Sequence, residues 1–184
     1  MKKVVAGLFM SLDGVVESPD KWQFDSFNED MGAEVDALIA ETYTVLLGRT
    51  TYEEWASYWP ATTEDLDFAS YINDAPKYVV STTLEEPLEW RNSTLIKGDV
   101  AEAIGELKSQ PGKDIAVQGS PTLVRSLLQN DLLDKLKLMI HAVVVGGGKR
   151  LFEDGRAPKR LRLTDTKTTR TGVVILTYEP KDLR

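Results

Sequence analysis

The stretch Asp114 to Asp131, DIAVQGSPTLVRSLLQND, carries the residues best suited to holding an anion. Ile115, Ala116 and Val117 read as a short buried strand, and Leu123, Val124, Leu127 and Leu128 repeat at helical spacing. Between them, Gln118, Gly119, Ser120, Pro121 and Thr122 turn one into the other. Gly119 lets a ligand approach the backbone, Ser120 suits an N-cap, and Pro121 suits the first helical position. The N–H groups at such a helix start have the positive end of the dipole behind them and favour phosphate. An ordinary strand-to-helix turn uses the same residues, so one glycine decides nothing alone.

Two further turns have similar chemistry. Gly48, Arg49, Thr50 and Thr51 close the run Val45-Leu46-Leu47. Arg49 could fork onto a phosphate, a charge-assisted hydrogen bond of roughly 1.5–3 kcal/mol. Ser81, Thr82 and Thr83 set hydroxyls in a row after Lys77-Tyr78-Val79-Val80. Ligands of open α/β sheets bind outside the carboxyl ends of the strands. Three such ends over one crevice would meet the demands of a dinucleotide with an extra ribose phosphate. A fourth end is Asp13-Gly14. Asp13 reads either as a plain turn residue or as a buried carboxylic acid with a raised pKa, serving as proton donor or relay.

The elements that must position these residues follow from periodicity. Strands are expected at Val4 to Met10, Thr44 to Leu47, Lys77 to Ser81, Ser93 to Ile96, Ile115 to Val117 and Leu136 to Val145. Helices are expected at Asn28 to Glu41, Thr51 to Trp59, Ala101 to Ser109 and after Pro121, with a short one from Asp65. Leu161 to Thr168 and Gly172 to Tyr178 alternate as an antiparallel pair. Alternation predicts a mostly parallel central sheet with helices on both faces, and the final strands predict an antiparallel edge. Between Gly14 and Phe27 lies a long loop holding Trp22 and Phe24, which either clamp a planar ring or pin the loop to the core. Tyr52, Trp55 and Trp59 read as core. His141 reads as a structural histidine within a strand, Gly146-Gly147-Gly148 as a flexible turn, and Lys149-Arg150 as solvated.

Composition narrows the chemistry. The 184 residues include no cysteine and one histidine, which excludes disulfides, thiolate nucleophiles and multi-histidine metal sites. Hydrophobic residues are 42% and charged residues 28%, with a net charge of −7. One domain spanning residues 1–184 is expected. The acidic balance argues against nucleic acid and anionic membranes as partners. MKKVVAGLFM imitates a signal peptide, but its apolar run is short and meets Asp13 with no cleavage site, so it reads as a core strand. With no run near the ~20 apolar residues of a membrane span, the cytoplasm is the expected location.

The chain resembles the dihydrofolate reductase-like superfamily. Within it, the chain resembles the branch similar to the reductase domain of the bifunctional riboflavin-biosynthesis deaminase–reductase. The resemblance is carried by SLDG (Ser11 to Gly14), LLGRTTYEEW (Leu46 to Trp55), KYVVST (Lys77 to Thr82), VQGSPTLVRSLLQNDLLDKLKLMI (Val117 to Ile140) and VVVGGGKRLF (Val143 to Phe152). It implies a three-layer α/β fold and NADPH. Gly48, Arg49, Thr50 and Thr51 would hold adenosine-side phosphates, with Ser81 and Thr82 near the 2′-phosphate. Gln118, Gly119, Ser120, Pro121 and Thr122 would hold the pyrophosphate. Family members carry a glycine pair in that turn, often with a cis peptide; here it is Gly119-Ser120, so the isomer is left open.

The resemblance also places a substrate pocket at Phe9, Ser11, Trp22, Phe24, Met31 and Val35, with Asp13 as the catalytic candidate. Dihydrofolate reductases bind the pterin with an acid at the start of the first helix, and Glu29, Asp30 and Glu34 are the nearest acids here. The implied activity is hydride transfer to a C=N or C=O of a small heterocycle, pyrimidine- or pterin-like. Relatives of the riboflavin branch are often homodimers, and the apolar late strands would suit such an interface. The alternative is an NADP(H)-binding sensor or module without turnover.

Overall fold

The computed structural model describes residues 1–181. In chain order its elements are β1 (Val4–Ser11), α1 (Glu29–Glu41), β2 (Thr42–Gly48), α2 (Arg49–Tyr58), α3 (Leu66–Asp74), β3 (Lys77–Val80), β4 (Ser93–Ile96), α4 (Val100–Ser109), β5 (Asp114–Val117), α5 (Pro121–Gln129), β6 (Lys135–His141), β7 (Leu161–Thr168) and β8 (Val174–Pro180). The strands form one sheet in the order β4-β3-β2-β5-β1-β6-β8-β7. β1 to β6 run parallel, and β8 and β7 add antiparallel at the edge. This is the expected three-layer α/β fold.

The first strand lies at the centre. Val4 pairs with Ile115 on one flank and Val5 with Lys135 on the other. Alternate residues of β1 go to opposite faces. Val4, Ala6 and Leu8 join Ile104 and Leu107 of α4 and Leu123, Val124 and Leu127 of α5 in one core. On the other face Phe9 packs against Met31 of α1, Met139, Val173 and Ile175. Beside these, Val45, Leu47 and Val79 pack under Tyr52 of α2 and Ile72 of α3. Tyr52 is buried, with Trp55 and Trp59 packed against this group, as expected of core residues.

Local sequence explains the helix starts. Asn28 accepts from the Met31 amide, Asp99 from Glu102 and Ser120 from Leu123, each a side-chain N-cap. At the far end of α3, the fully buried Lys77 donates to the carbonyls of Ile72 (2.9 Å), Asn73 (3.2 Å) and Ala75 (2.9 Å). A cation there satisfies orphan carbonyls and faces the negative end of the helix dipole.

Three expectations need correction. β6 ends at His141, not Val145, because the backbone leaves the sheet after His141; the Leu12 amide then reaches the Val143 carbonyl at 2.8 Å. His141 is therefore a strand end. α2 begins at Arg49 rather than Thr51, so Gly48 is its N-cap. The outer late strand is not apolar: β7 is exposed from Arg162 to Thr168. Its charged side chains are a means of discouraging edge-to-edge pairing. Among the described residues, no helix is long and apolar enough to cross a membrane.

Candidate functional site

The parallel order sets the carboxyl ends of β3, β2, β5, β1 and β6 in a row along one edge. Ser81, Gly48-Arg49, Gln118-Gly119, Ser11 and His141 follow one another along it. Arg49, Ser81 and Gly119 thus lie on three adjacent strand ends.

Two of these turns interlock. The Gly48 amide donates to the Gly119 carbonyl at 2.8 Å, and the Gln118 amide to Leu46 at 3.2 Å. A Cβ on Gly48 would stand 2.6 Å from Ser120 Oγ. A Cβ on Gly119, whose φ is +120°, would stand 2.9 Å from Thr51 Oγ1. The glycines are therefore what lets the starts of α2 and α5 come side by side. The Gly119–Ser120 peptide is cis. α2 has no side-chain N-cap, which leaves its first amides for a ligand. Thr50 and Thr51 are partly exposed there; Pro121 brings no N–H, and Thr122 is exposed with its Oγ1 accepting from Arg125 at 3.2 Å.

The flanking side chains are less uniform. Arg49 is about half exposed and pairs with Glu53 one turn on at 2.9 Å, so a phosphate must compete with that carboxylate. Ser81 Oγ is spent on its own turn, accepting from the Thr83 and Leu84 amides at 3.2 and 3.1 Å. Thr82 beside it is exposed.

Asp13 departs from the acid expected of it. Ser11 Oγ donates to its carboxylate at 2.6 Å, the Val145 and Gly146 amides donate at 3.0 and 2.9 Å, and Arg150 lies 3.7 Å away. The Ser11 hydrogen bond first, then the two amides, hold the carboxyl well below the usual range. The raised pKa expected from burial is thus not found; the carboxyl is lowered instead. Asp13 is an ionised staple joining the β1 turn to the Gly146-Gly147-Gly148 loop. Arg150, expected to be solvated, donates to the Asp13 carbonyl at 2.9 Å and takes part in the same staple. Ser11 is fully buried, its hydroxyl committed to Asp13 and to the Val15 amide.

The remaining pocket candidates divide. Phe9 and the buried Met31 belong to one apolar cluster. Val35 is partly buried on α1. Two 3-10 turns, Pro19–Lys21 and Phe24–Ser26, shape the aromatic loop. Within it Phe24 is 65% exposed, whereas Trp22 packs edge-on against His141 with ring centroids 5.6 Å apart. The acids at the start of α1 are all paired elsewhere. Glu29 and Asp30 engage Arg170, and Glu34 engages Lys137 and Lys167. The buried side chain at that helix start is Met31, so the acid that anchors a pterin in dihydrofolate reductases has no counterpart there.

Sequence reasoning missed the polar group on this side of the row. His141 is fully buried, with Nδ1 2.6 Å from Ser26 Oγ. Its Nε2 is buried without a partner, as is Oε1 of the nearly buried Gln23. Its spacing two residues past Met139, on a face shared with Phe9, was the signal available.

The family model for the RibD C-terminal domain matches residues 2–176. The chain belongs to that family. It is 29% identical to the uncharacterized protein YyaP of Bacillus subtilis over 181 residues, covering 96% of this chain and 94% of YyaP. A Shewanella sp. PV-4 protein assigned to riboflavin biosynthesis superposes with a TM-score of 0.78 at 21% identity, over 98% of this chain and 99% of the other. Dihydrofolate reductase from Enterococcus faecalis, solved with NADP(H), superposes with a TM-score of 0.63 at 13% identity, over 98% and 97%. The RibD-type chain thus carries a dihydrofolate reductase-like fold.

Proposed function

We propose that this single-domain chain is a cytoplasmic NADPH-dependent reductase of a small heterocycle, with hydride passing to a C=N or C=O carbon. The observation that carries the reading is the interlock of Gly48 with Ser120 and of Gly119 with Thr51. It sets two helix starts side by side, with a glycine of each turn against a hydroxyl side chain of the other, which suits two phosphate groups of one ligand. The first amides of α2, with Arg49 and the Thr82 hydroxyl, would hold the 2′-phosphate side. The α5 start, with Ser120 and Thr122, would hold the pyrophosphate. NADPH, when bound, supplies the hydride and its electron pair. The protein's share is orientation and exclusion of water, with the Phe9–Met31 cluster and Trp22 walling the far end of the row. Asp13 ties the β1 turn to the Val145 and Gly146 amides beside this end.

The test is consumption of NADPH at 340 nm against pyrimidine, pterin and simple carbonyl substrates. Turnover with one of them is the expected result. Thermal stabilisation by NADPH with no turnover on any would favour the binding-module reading instead. Arg49→Ala is expected to weaken NADPH about tenfold, the worth of a charge-assisted hydrogen bond at an exposed site, and NADH less than twofold. Equal losses would remove Arg49 from the 2′-phosphate.

A further inference from the structure

Arg125 of α5 is the paired arginine that the fold takes furthest out of water. Its side chain is 12% exposed, whereas every other arginine in an ion pair among the described residues is 48% exposed or more. Nη1 donates to the carbonyls of Arg150 and Leu151 at 3.0 and 3.1 Å. Nη2 lies 2.7 Å from the Glu153 carboxylate and donates to Thr122 Oγ1 at 3.2 Å. Nε is buried with no partner. Withdrawing such a charge from water often costs more than its pairs return, so stability alone does not account for it. Its direction does not help the helix either. The guanidinium folds back onto the first turn of α5, at the positive end of the dipole, where a cation is unfavourable and an anion is favoured.

We propose that Arg125 is a positioning residue for a bound phosphate, acting through the hydroxyl of Thr122. Arginine can only donate, so Thr122 Oγ1 must accept from it, and the one hydroxyl proton is turned away from the guanidinium. Among the described residues no acceptor takes that proton, and Thr122 is exposed in the first turn of α5. The proton is therefore left for a group arriving at the helix start. A hydroxyl that accepts from a cation is polarised and donates more strongly in turn, which suits an anionic oxygen. Arg125 thereby acts on the ligand without touching it. The same guanidinium holds the neighbouring segment, whose Leu151 is fully buried and whose Leu151 amide donates to the Gly14 carbonyl at 3.0 Å. That segment is anchored from α5 and from the β1 turn, so the guanidinium has little freedom to leave Thr122. The inference rests on the reductase reading, which puts the cofactor's pyrophosphate at this turn.

The test is a double-mutant cycle on nucleotide affinity in the full-length protein, read by titration calorimetry. Two probes are used: NADPH, and adenosine 2′-monophosphate, which has the ribose phosphate but no pyrophosphate. Thr122→Val is expected to weaken NADPH about tenfold, and Thr122→Ser, which keeps the hydroxyl, to stay within about twofold of the parent. Arg125→Met is also expected to weaken NADPH about tenfold, but less than about twofold further when Thr122 is already Val, because the two side chains act as one unit. Adenosine 2′-monophosphate should bind all four variants like the parent, a result that general damage to the crevice does not give. Should Arg125→Met fail to fold, Arg125→Lys takes its place in the cycle, since a lysine keeps the charge but cannot fork across these acceptors. Losses that multiply to about a hundredfold in the double variant overturn the inference. So does an NADPH affinity unchanged by Thr122→Val, or an equal loss of both probes. A parent that binds neither probe sinks the reductase reading and this inference with it. A parent that binds both, with Thr122→Val unaffected, sinks only the role of Arg125.

Discussion

Single carboxylates in this molecule act by being held rather than by titrating near neutrality. Asp13 is kept ionised by the Ser11 hydroxyl and the Val145 and Gly146 amides, and Asp30 is lowered to about 2, chiefly by the Arg170 amide and guanidinium. The sign of the pH effect follows. A carboxylate depressed by folding contributes stability above its unfolded value, near 4, and loses it as pH falls through the folded value. Asp13→Asn and Asp30→Asn should therefore lower the urea midpoint at pH 7, and the gap to the parent should close as pH is taken from about 5 toward 2. A gap that persists unchanged at pH 2 would show that these side chains contribute through packing instead. The environment of Asp13 was not legible in the sequence, because beyond the nearby Ser11 its amide partners arrive from 132 and 133 residues away. The same holds for His141, whose partner Ser26 is 115 residues distant. The phosphate-friendly turns were legible, since capping, glycine and helix-start chemistry are local. Which hydroxyl stays free was not: Ser81 folds its own turn and leaves Thr82 outside.

At the scale of elements, the juncture of α2 and α5 is steric. Gly48 has φ −80° and ψ 164°, a conformation any residue adopts, so its glycine is required by space alone. Gly48→Ala places a methyl 2.6 Å from Ser120 Oγ and 3.1 Å from its backbone nitrogen. It should cost about 1–3 kcal/mol by overpacking, with a further loss of NADPH affinity as the helix starts move apart. Gly32→Ala on α1, where a Cβ meets nothing within 4 Å, should instead raise stability by up to about 1 kcal/mol through helix propensity. Urea denaturation of the two variants checks both signs, and a shared sign would remove the steric argument. Element types and order were readable because strands here alternate with amphipathic helices. The end of β6 was not, since Ala142 to Val145 are even more apolar than the strand before them. Beyond it the Val145 and Gly146 amides donate to Asp13, on another strand's turn.

For the whole molecule, the two sides of the proposed crevice are built by different parts of the chain. β2, β3 and β5 supply the phosphate turns, β6 and β8 back the aromatic end, and β1 is the seam between them. A fragment ending at Asn130 would leave one flank of β1 without β6, exposing Leu8 and Met10 where Leu138 and Ile140 should pair. Such a fragment should show no cooperative melting by calorimetry, whereas residues 1–184 should melt in one transition; a cooperative fragment would mean that the first five strands suffice. The central place of β1 also bears on synthesis at the ribosome. Val-Val-Ala-Gly-Leu-Phe-Met emerges before both its partners: Ile115 follows about 110 residues later and Lys135 later still. At elongation rates of 5–20 residues per second, that apolar strand waits roughly 5–20 s with both edges unpaired. The nascent chain is then sticky for most of its birth, and its yield in a cell will depend on how well chaperones shield those few residues until the last third is made.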